Sequence, residues 1–296
     1  MKSRFFLSLC LALFTLAVSV RAQGQFDDVE IKATKVAGNV YMLKGAGGNI
    51  GVSVGEDGIF MIDDQFAELA DKIKVKLSEL NQGELKFILN THHHGDHTGS
   101  NGIFGSEATV ISHDNVRKHL STRKTVDGEV VEPKPEELWP IMTFGSSLTL
   151  HFNGEEIKVI HAPGVHTDGD AVIHFTGSNV LHAGDLLFSG LFPYVDLASG
   201  GRVQSLIAYV EKLLNELPTD IKIIPGHGPL SDYSSLKTYH EMLIETTAFI
   251  REGMENGQSP DELKTRGVPD KWKDWSWSFI PTDRWIDIVY ESYSTN

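Results

Sequence analysis

Cysteine is all but missing from this sequence: one residue in 296, Cys10. It lies in an apolar run, Phe5–Val18, that follows Lys2 and Arg4 and leads into Val20-Arg21-Ala22. A basic start, a short apolar stretch and a small residue at its end are the anatomy of a secretory signal peptide. The signal is expected to occupy residues 1–22, leaving a mature chain that begins near Gln23. The run is too short and wrongly flanked for a stable membrane span, and an uncleaved anchor is the competing reading. Cys10 also sits too early and too deep in the run for a lipid-attachment cysteine. A mature chain without cysteine has no disulfides and no thiolate metal ligands, although export would allow the former. The style of the signal points to a bacterial periplasm.

Positive charge is also scarce. Lys and Arg number 26 against 40 Asp and Glu, a formal net charge of −14. Nucleic-acid binding draws on clustered Lys and Arg for counterion release, and no such clusters are present, so nucleic acid is excluded as a partner. No segment after the signal is long and apolar enough to cross a bilayer, so no membrane association is expected once the signal is cleaved. The remaining partner class is a small-molecule substrate.

What is present is patterned as one α/β domain over residues 23–296. Residues 29–36, 40–44, 49–54 and 58–62 read as consecutive strands joined by glycine-containing turns. Gly45-Ala46-Gly47-Gly48 serves either as a plain turn or as a flap beside a site. Phe66, Leu69, Ile73, Leu77 and Leu80 recur at helical spacing, predicting an amphipathic helix over 66–80. Strands at 85–89 and 108–112 follow, then a helix at 114–120 with Asp114 placed to cap it. Residues 121–145 change character and read as a loop or lid. Strands at 148–152, 157–161, 171–175 and 180–183, a helix marked by Val203 to Leu217, a strand at 222–225 and a helix at 233–254 repeat the order of the first half. Two such halves face to face give a four-layer αββα sandwich. Trp272, Trp275, Trp277 and Trp285 in the tail are expected to pack on the core.

The chemistry concentrates in Asn90-Thr91-His92-His93-His94-Gly95-Asp96-His97-Thr98-Gly99. Imidazoles and a carboxylate at the end of a strand have the density of a metal site. Extended spacing points His92 and His94 the same way and His93 away, while Asp96 and His97 come round the turn toward a second position. Further donors follow later strands: His166 in Pro163-Gly164-Val165-His166-Thr167, Asp185 in Gly184-Asp185, and His227 in Pro225-Gly226-His227-Gly228. Asp63-Asp64 closes the fourth strand and either braces the metal loop or caps a helix.

The ordered set H-x-H-x-D-H, P-G-x-H-T, G-D and P-G-H-G resembles the metallo-β-lactamase superfamily over nearly the whole mature chain. The resemblance implies that His92, His94 and His166 hold one metal and that Asp96, His97 and His227 hold a second, with Asp185 bridging. His161 competes with His166 for the third position, because the family motif sets its histidine directly after Pro-Gly and Val165 intervenes here. Thr167 and Gly169 continue the motif and favour His166. The other histidines, His93, His113, His119, His151, His174, His182 and His240, are expected to be structural or on the surface.

Two zinc ions are the expected cofactors, with manganese or iron as alternatives. Where the β-lactamases of this superfamily commonly carry a cysteine, this chain has Asp185, and the substrate-recognising lysine often found nearby is absent. The expected function is an exported hydrolase in which a hydroxide shared by two metals opens a cyclic amide or ester, a β-lactam-like ring or a lactone. Asp96 is the expected catalytic residue, orienting that nucleophile. A small-substrate phosphodiesterase or thioesterase of the same fold is the alternative, and a non-catalytic periplasmic metal-binding protein is the alternative of another class. Trp139, Phe188, Phe192 and Tyr194 are candidate pocket walls, with plain packing the competing role.

Overall fold

The computed structural model describes residues 24–126 and 128–294. The expected signal peptide, Cys10 and the cleavage point before Gln23 lie outside the described residues. The chain opens with a meander, β1 (Lys32–Ala37), β2 (Val40–Lys44), β3 (Ile50–Gly55) and β4 (Gly58–Ile62), followed by α1 (Ala70–Leu80) and β5 (Leu85–Asn90). Short helices α2 (Gly95–Thr98) and α3 (Asn101–Phe104) precede β6 (Thr109–His113) and α4 (Asp114–Ser121). A small hairpin, β7 (Lys124–Val126) and β8 (Glu129–Val131), leads to β9 (Met142–Phe144). The second half runs β10 (Ser147–Phe152), β11 (Glu155–His161), β12 (Ala171–Phe175), β13 (Val180–Phe188), α5 (Val203–Glu216), β14 (Lys222–His227) and β15 (Ser231–Asp232). Helices α6 (Tyr233–Glu255), α7 (Pro260–Arg266) and α8 (Thr282–Ser294) complete it.

Two sheets result, ordered β1-β2-β3-β4-β5-β6-β9 and β10-β11-β12-β13-β14-β15. Strand alternation explains why they stack with helices outside. In β4, Phe60 and Ile62 face the second sheet, where they meet Ile157, Ile173 and Phe175. Ile59 and Met61 point the other way onto Ile73 and Leu77 of α1. A strand buried on both faces must be covered on both, hence the αββα layering. On the far side Leu206 and Val210 of α5 and Leu236, Tyr239 and Leu243 of α6 cover Leu181 and Ile223. Ile73 and Leu77 are almost wholly buried, so truncating either to Ala should cost about 2–5 kcal/mol. Among the described residues no helix is long and apolar enough to cross a membrane.

The topology decides where the site falls. The crossovers β4–α1–β5 and β13–α5–β14 make parallel pairs. The carboxyl ends of parallel strands, where the chain turns away, are where α/β folds gather their ligands. Asp63, the His92–His97 stretch and His227 all fall at such ends.

Several local expectations are corrected. Asp114 does not cap α4; His113 keeps extended backbone and its Nδ1 accepts from Asn115 N (3.2 Å), leaving Asp114 as the first helical residue. Its carboxylate then sits in the first turn, where the helix dipole favours it. Asp185 does not follow a strand. It lies within β13, which runs on past a bulge at Gly184 (φ +52°). The first strand begins at Lys32, later than residue 29. The stretch 121–145 is not a plain loop: it holds the β7–β8 hairpin and β9, the edge strand of the first sheet.

Candidate metal centre

Four side chains from three parts of the chain meet in a first cluster, His92, His94, His166 and Asp185, with one donor atom of each within 4.8 Å of the others. Asp96, His97 and His227 form a second cluster to the same tolerance. Asp185 joins them. Its Oδ2 lies 3.8 Å from His92 Nε2, 3.5 Å from His166 Nε2 and 3.5 Å from His227 Nε2. Its Oδ1 lies 3.2 Å from His97 Nε2. The two halves of the sequence thus converge at one edge of the sandwich.

Each imidazole is aimed by the bond its other nitrogen makes. His97 Nδ1–H donates to Asp63 Oδ2 (2.7 Å), which turns Nε2 toward Asp185. Thr91 Oγ1 donates to the same Asp63 oxygen (2.8 Å) and in turn accepts from His92 Nδ1–H (3.0 Å). His166 Nδ1–H donates to Tyr194 O (2.8 Å), and His94 Nε2–H donates to Asp196 Oδ2 (3.1 Å). The nitrogens left facing inward are His92 Nε2, His94 Nδ1 and His166 Nε2, the latter two pairs 3.0 Å apart across His94. Outer acceptors of this kind fix the tautomer and ring plane of a metal-ligating histidine. Asp63 is therefore the brace, not a helix cap, and it holds this position with φ +61°. Asp64 accepts Ser100 N (3.0 Å) one turn behind.

Nitrogens 3.0 Å apart cannot all carry protons, and bonds of about 2.0–2.1 Å to one shared ion bring imidazoles to such spacing. His97 Nε2 and Asp185 Oδ1 are buried without a hydrogen-bond partner among the described residues. Orphaned donors of this sort need an explanation, and a divalent cation supplies it. The residues present fit the metal pair.

The electrostatics differ between the clusters. Burial holds His92 well below the usual imidazole value, with the neighbouring imidazoles adding to it, and holds His166 down at about 4 against the pull of Asp185. At the second cluster burial also opposes charge, but Asp185 and Asp96 outweigh it and push His227 up to about 9. His97 is likewise held well above its ordinary value by Asp96, Asp185 and Asp63 against burial. Burial would raise Asp185 and Asp96, yet the surrounding imidazoles hold the first well below the carboxylate range and the second at about 2.

Backbone makes room for these donors. A Cβ on Gly226 would land on Asp185 Oδ1, and one on Gly48 would land on the His97 ring, so both approaches demand glycine. The Gly45–Gly48 turn brings Ala46 and Gly47 to the edge of a cavity of about 640 Å³ that opens on Asp96, Asp185, His94 and His227. Phe188 and Tyr194 line it as expected. Phe192 does not; it is buried and stacked on Trp285 (5.9 Å). Trp139 is also elsewhere, beneath Arg117 and bonded through Nε1 to Lys134 O. Trp277 packs against the core as expected and also lines the cavity, while Trp272 and Trp285 are buried.

His93 belongs to neither of the two clusters; it stacks on His119 (4.1 Å) and brings a ring nitrogen within 4.8 Å of donor atoms of His94 and Asp196. His161 Nε2–H donates to Asp168 O (3.0 Å) and its ring stacks on His113, so of the two candidates it is His166 that stands at the cluster. His182 is buried against Asn49 O (3.2 Å). Sequence reasoning missed Asp196, whose link to His94 spans 102 residues, and the aromatic walls Phe26, Phe66 and Phe279.

Comparison with known proteins agrees with this picture. The model of the metallo-beta-lactamase superfamily matches residues 33–227. A hydroxyacylglutathione hydrolase of a Synechococcus strain is 35% identical over 124 residues, 41% of this chain and 42% of that protein. The match thus spans less than half the length of that relative. A probable metallo-hydrolase of Methanocaldococcus jannaschii is 29% identical over 170 residues, 53% of this chain and 78% of that protein. Among solved structures, a metallo-beta-lactamase from Pontibacter korlensis superposes with TM-score 0.60 at 18% identity over 72% of this chain and 99% of that one. A sec-alkylsulfatase from Pseudomonas sp. gives TM-score 0.66 at 15% identity over 89% of this chain and 50% of that one. At such identities the structural likeness speaks for the fold.

Proposed function

The chain belongs to the metallo-β-lactamase superfamily and is a metal-dependent hydrolase; from that footing we propose that it is an exported enzyme using two zinc ions to open a cyclic amide or ester. The observation that carries this reading is a single cavity in which Asp96, Asp185 and His227 form the floor and aromatic side chains form the walls. A storage site needs no such opening. Imidazole and carboxylate donors without thiolate suit zinc, with manganese and iron as the competing ions.

Divalent ions bound by these residues would lower the pKa of a shared water toward neutrality, from ~15.7 in bulk, and polarise the carbonyl under attack. The remaining work belongs to the chain. Asp96 Oδ2, 3.3 Å from His227 Nε2 and 3.5 Å from His97 Nε2, stays ionised and orients the attacking water by accepting its hydrogen. The proton it takes is passed to the departing nitrogen or oxygen as the ring opens. Asp63, Asp196 and the Tyr194 carbonyl hold three imidazoles in register, so no reorganisation is required during the reaction. The apolar walls hold the ring against the floor and exclude competing water.

Thioester hydrolysis is the second reading, favoured by the hydroxyacylglutathione hydrolase relatives. The glutathione moiety carries two carboxylates, and no Lys or Arg lines the cavity among the described residues, which argues for the less charged substrates. The experiment is metal analysis together with turnover of a chromogenic cephalosporin, a lactone, a glutathione thioester and a bis-aryl phosphate. Chelator-sensitive opening of the lactone or cephalosporin is the expected result. Turnover confined to the thioester or the phosphate would replace this reading, and bound metal without any turnover would favour a binding protein. N-terminal sequencing of the exported chain should begin near Gln23.

A further inference from the structure

Two segments outside residues 33–227, the span matched by the family, come to the mouth of the cavity: one around Phe26 and one around Trp277 and Phe279. At the first, Phe26 lines the opening and stacks on Phe66, with ring centroids 5.0 Å apart and planes at 23°. This segment is held in place. Lys72 Nζ donates to three carbonyls of this segment, Phe26 O (2.9 Å), Asp27 O (2.7 Å) and Val29 O (2.7 Å). Three bonds from one ammonium fix where the Phe26 ring can lie.

The second segment supplies the opposite wall. Trp277 packs on Phe188 (6.2 Å) and donates Nε1–H to Phe192 O (2.9 Å). Phe279 meets Trp277 (5.5 Å) and Tyr194 (5.7 Å) edge to face. Arg284 lies across the rings of Phe279 (4.5 Å) and Tyr194 (5.1 Å), and its Nη1 donates to Phe279 O (3.0 Å). Phe279 is nevertheless 47% exposed at the rim. Six aromatic rings thus border one opening, counting Phe26, Phe66, Phe188, Tyr194, Trp277 and Phe279, with no Lys or Arg among the lining residues. An apolar patch of this kind, held in place and uncovered among the described residues, marks a binding surface. A charged substituent entering it would lose hydration against these rings, with Arg284 already stacked across Tyr194 and Phe279 and bonded to Phe279 O.

We propose that the Phe26 segment and the Trp277–Phe279 segment form a hydrophobic clamp that selects uncharged substrates bearing an alkyl chain or aryl ring beside the scissile carbonyl. The proposal rests on the hydrolase reading above and adds the substrate's apolar side to it. The clamp works by burial alone. Each methylene taken from water into such a pocket contributes about fourfold in binding when fully covered.

The test uses γ-lactones whose side chains lengthen from methyl to octyl, with wild type, Phe26→Ala, Phe279→Ala and Lys72→Met compared at equal metal content. In wild type kcat/KM should rise two- to fourfold per methylene until the cavity is filled. In the three variants the slope should flatten, so that the loss grows with chain length and exceeds tenfold for the octyl lactone. A slope that is absent in wild type, or unchanged in the variants, overturns the clamp. Calorimetric binding of a neutral n-alkanamide series, which needs no turnover, separates the two claims. A per-methylene gain in binding that the variants lose supports the clamp even if no lactone is opened, in which case the hydrolase reading fails and the clamp stands. Lactone turnover without any chain-length gain in either measurement sinks the clamp and leaves the hydrolase reading in place. Thermal unfolding of each variant within a few degrees of wild type checks that these half-exposed positions leave the fold intact.

Discussion

Replacing Asp196 with Asn should weaken metal binding at the first cluster while leaving the second nearly untouched. Asp196 Oδ2 accepts from His94 Nε2–H at 3.1 Å, and its Oδ1 accepts Ser199 N at 3.0 Å, so the side chain joins His94 to the turn that follows β13. The same turn supplies the Tyr194 carbonyl that orients His166. Asn keeps the shape of the residue but has one acceptor oxygen where Asp has two; with that oxygen turned to His94 a charge-assisted bond becomes a neutral one and Ser199 N loses its acceptor. Bonds to charged groups contribute about 1.5–3 kcal/mol against about 1 for neutral ones, a difference of roughly 0.5–2 kcal/mol. Loss of such outer partners typically costs about 10–100-fold in metal affinity, or about 1.4–2.7 kcal/mol, and the two ranges overlap near tenfold. Asp196→Ala should reach the upper end, because His94 Nε2–H then has no acceptor at all. It should also lose about 1 kcal/mol of local stability with the cap on Ser199. Competition with a chromophoric zinc chelator, read for each equivalent of metal, measures the effect. A first-equivalent affinity within twofold of wild type in both variants would refute the argument that Asp196 positions His94.

Two further outcomes follow from the geometry. In the metal-free protein His227, held up at about 9, and His97, held above its usual value, carry protons at neutral pH, whereas His166, at about 4, and His92 do not. Since only the neutral imidazole ligates, loading the second cluster at pH 7 should release protons and strengthen about tenfold per pH unit for each proton displaced, from pH 6 toward 9; the first should be nearly flat. Calorimetry in buffers of different ionisation enthalpy counts those protons, and equal release for both equivalents would contradict the asymmetry. Asp63 is wholly buried and accepts from Thr91 N, Thr91 Oγ1 and His97 Nδ1. Asp63→Ala leaves the His97 side unpaired and should cost about 3–5 kcal/mol in denaturant unfolding, and a loss under about 1 would show the brace to be dispensable.

Much of this centre was legible because the sequence writes it in short local units. His92-x-His94 in extended backbone sets two rings on one side, and Asp96-His97 on the next turn sets two donors toward another point; the structure carries both out through β5 and α2. The unbroken apolar run of β4, buried on both faces, and the 3.6-residue spacing in α1 gave the layers for the same reason. What escaped notice depends on partners far apart in sequence. Asp196 has no local pattern, because its meaning comes from His94 more than a hundred positions earlier. Trp277 reads like its neighbours Trp272 and Trp275 and packs against the same core, yet of the three it alone also borders the cavity. The bulge at Gly184, which keeps Asp185 inside a strand, turns on a positive φ that Gly-Asp alone does not announce.

The central claim is that seven side chains, His92, His94, His166, Asp96, His97, His227 and Asp185, hold a pair of divalent ions at one floor. Metal content per chain, measured on wild type, His166→Ala and His227→Ala after equilibration with zinc, tests it most directly. The account predicts two equivalents in wild type and one in each variant, with the retained ion at the cluster left intact. Two equivalents in His227→Ala, or one in wild type, would contradict it.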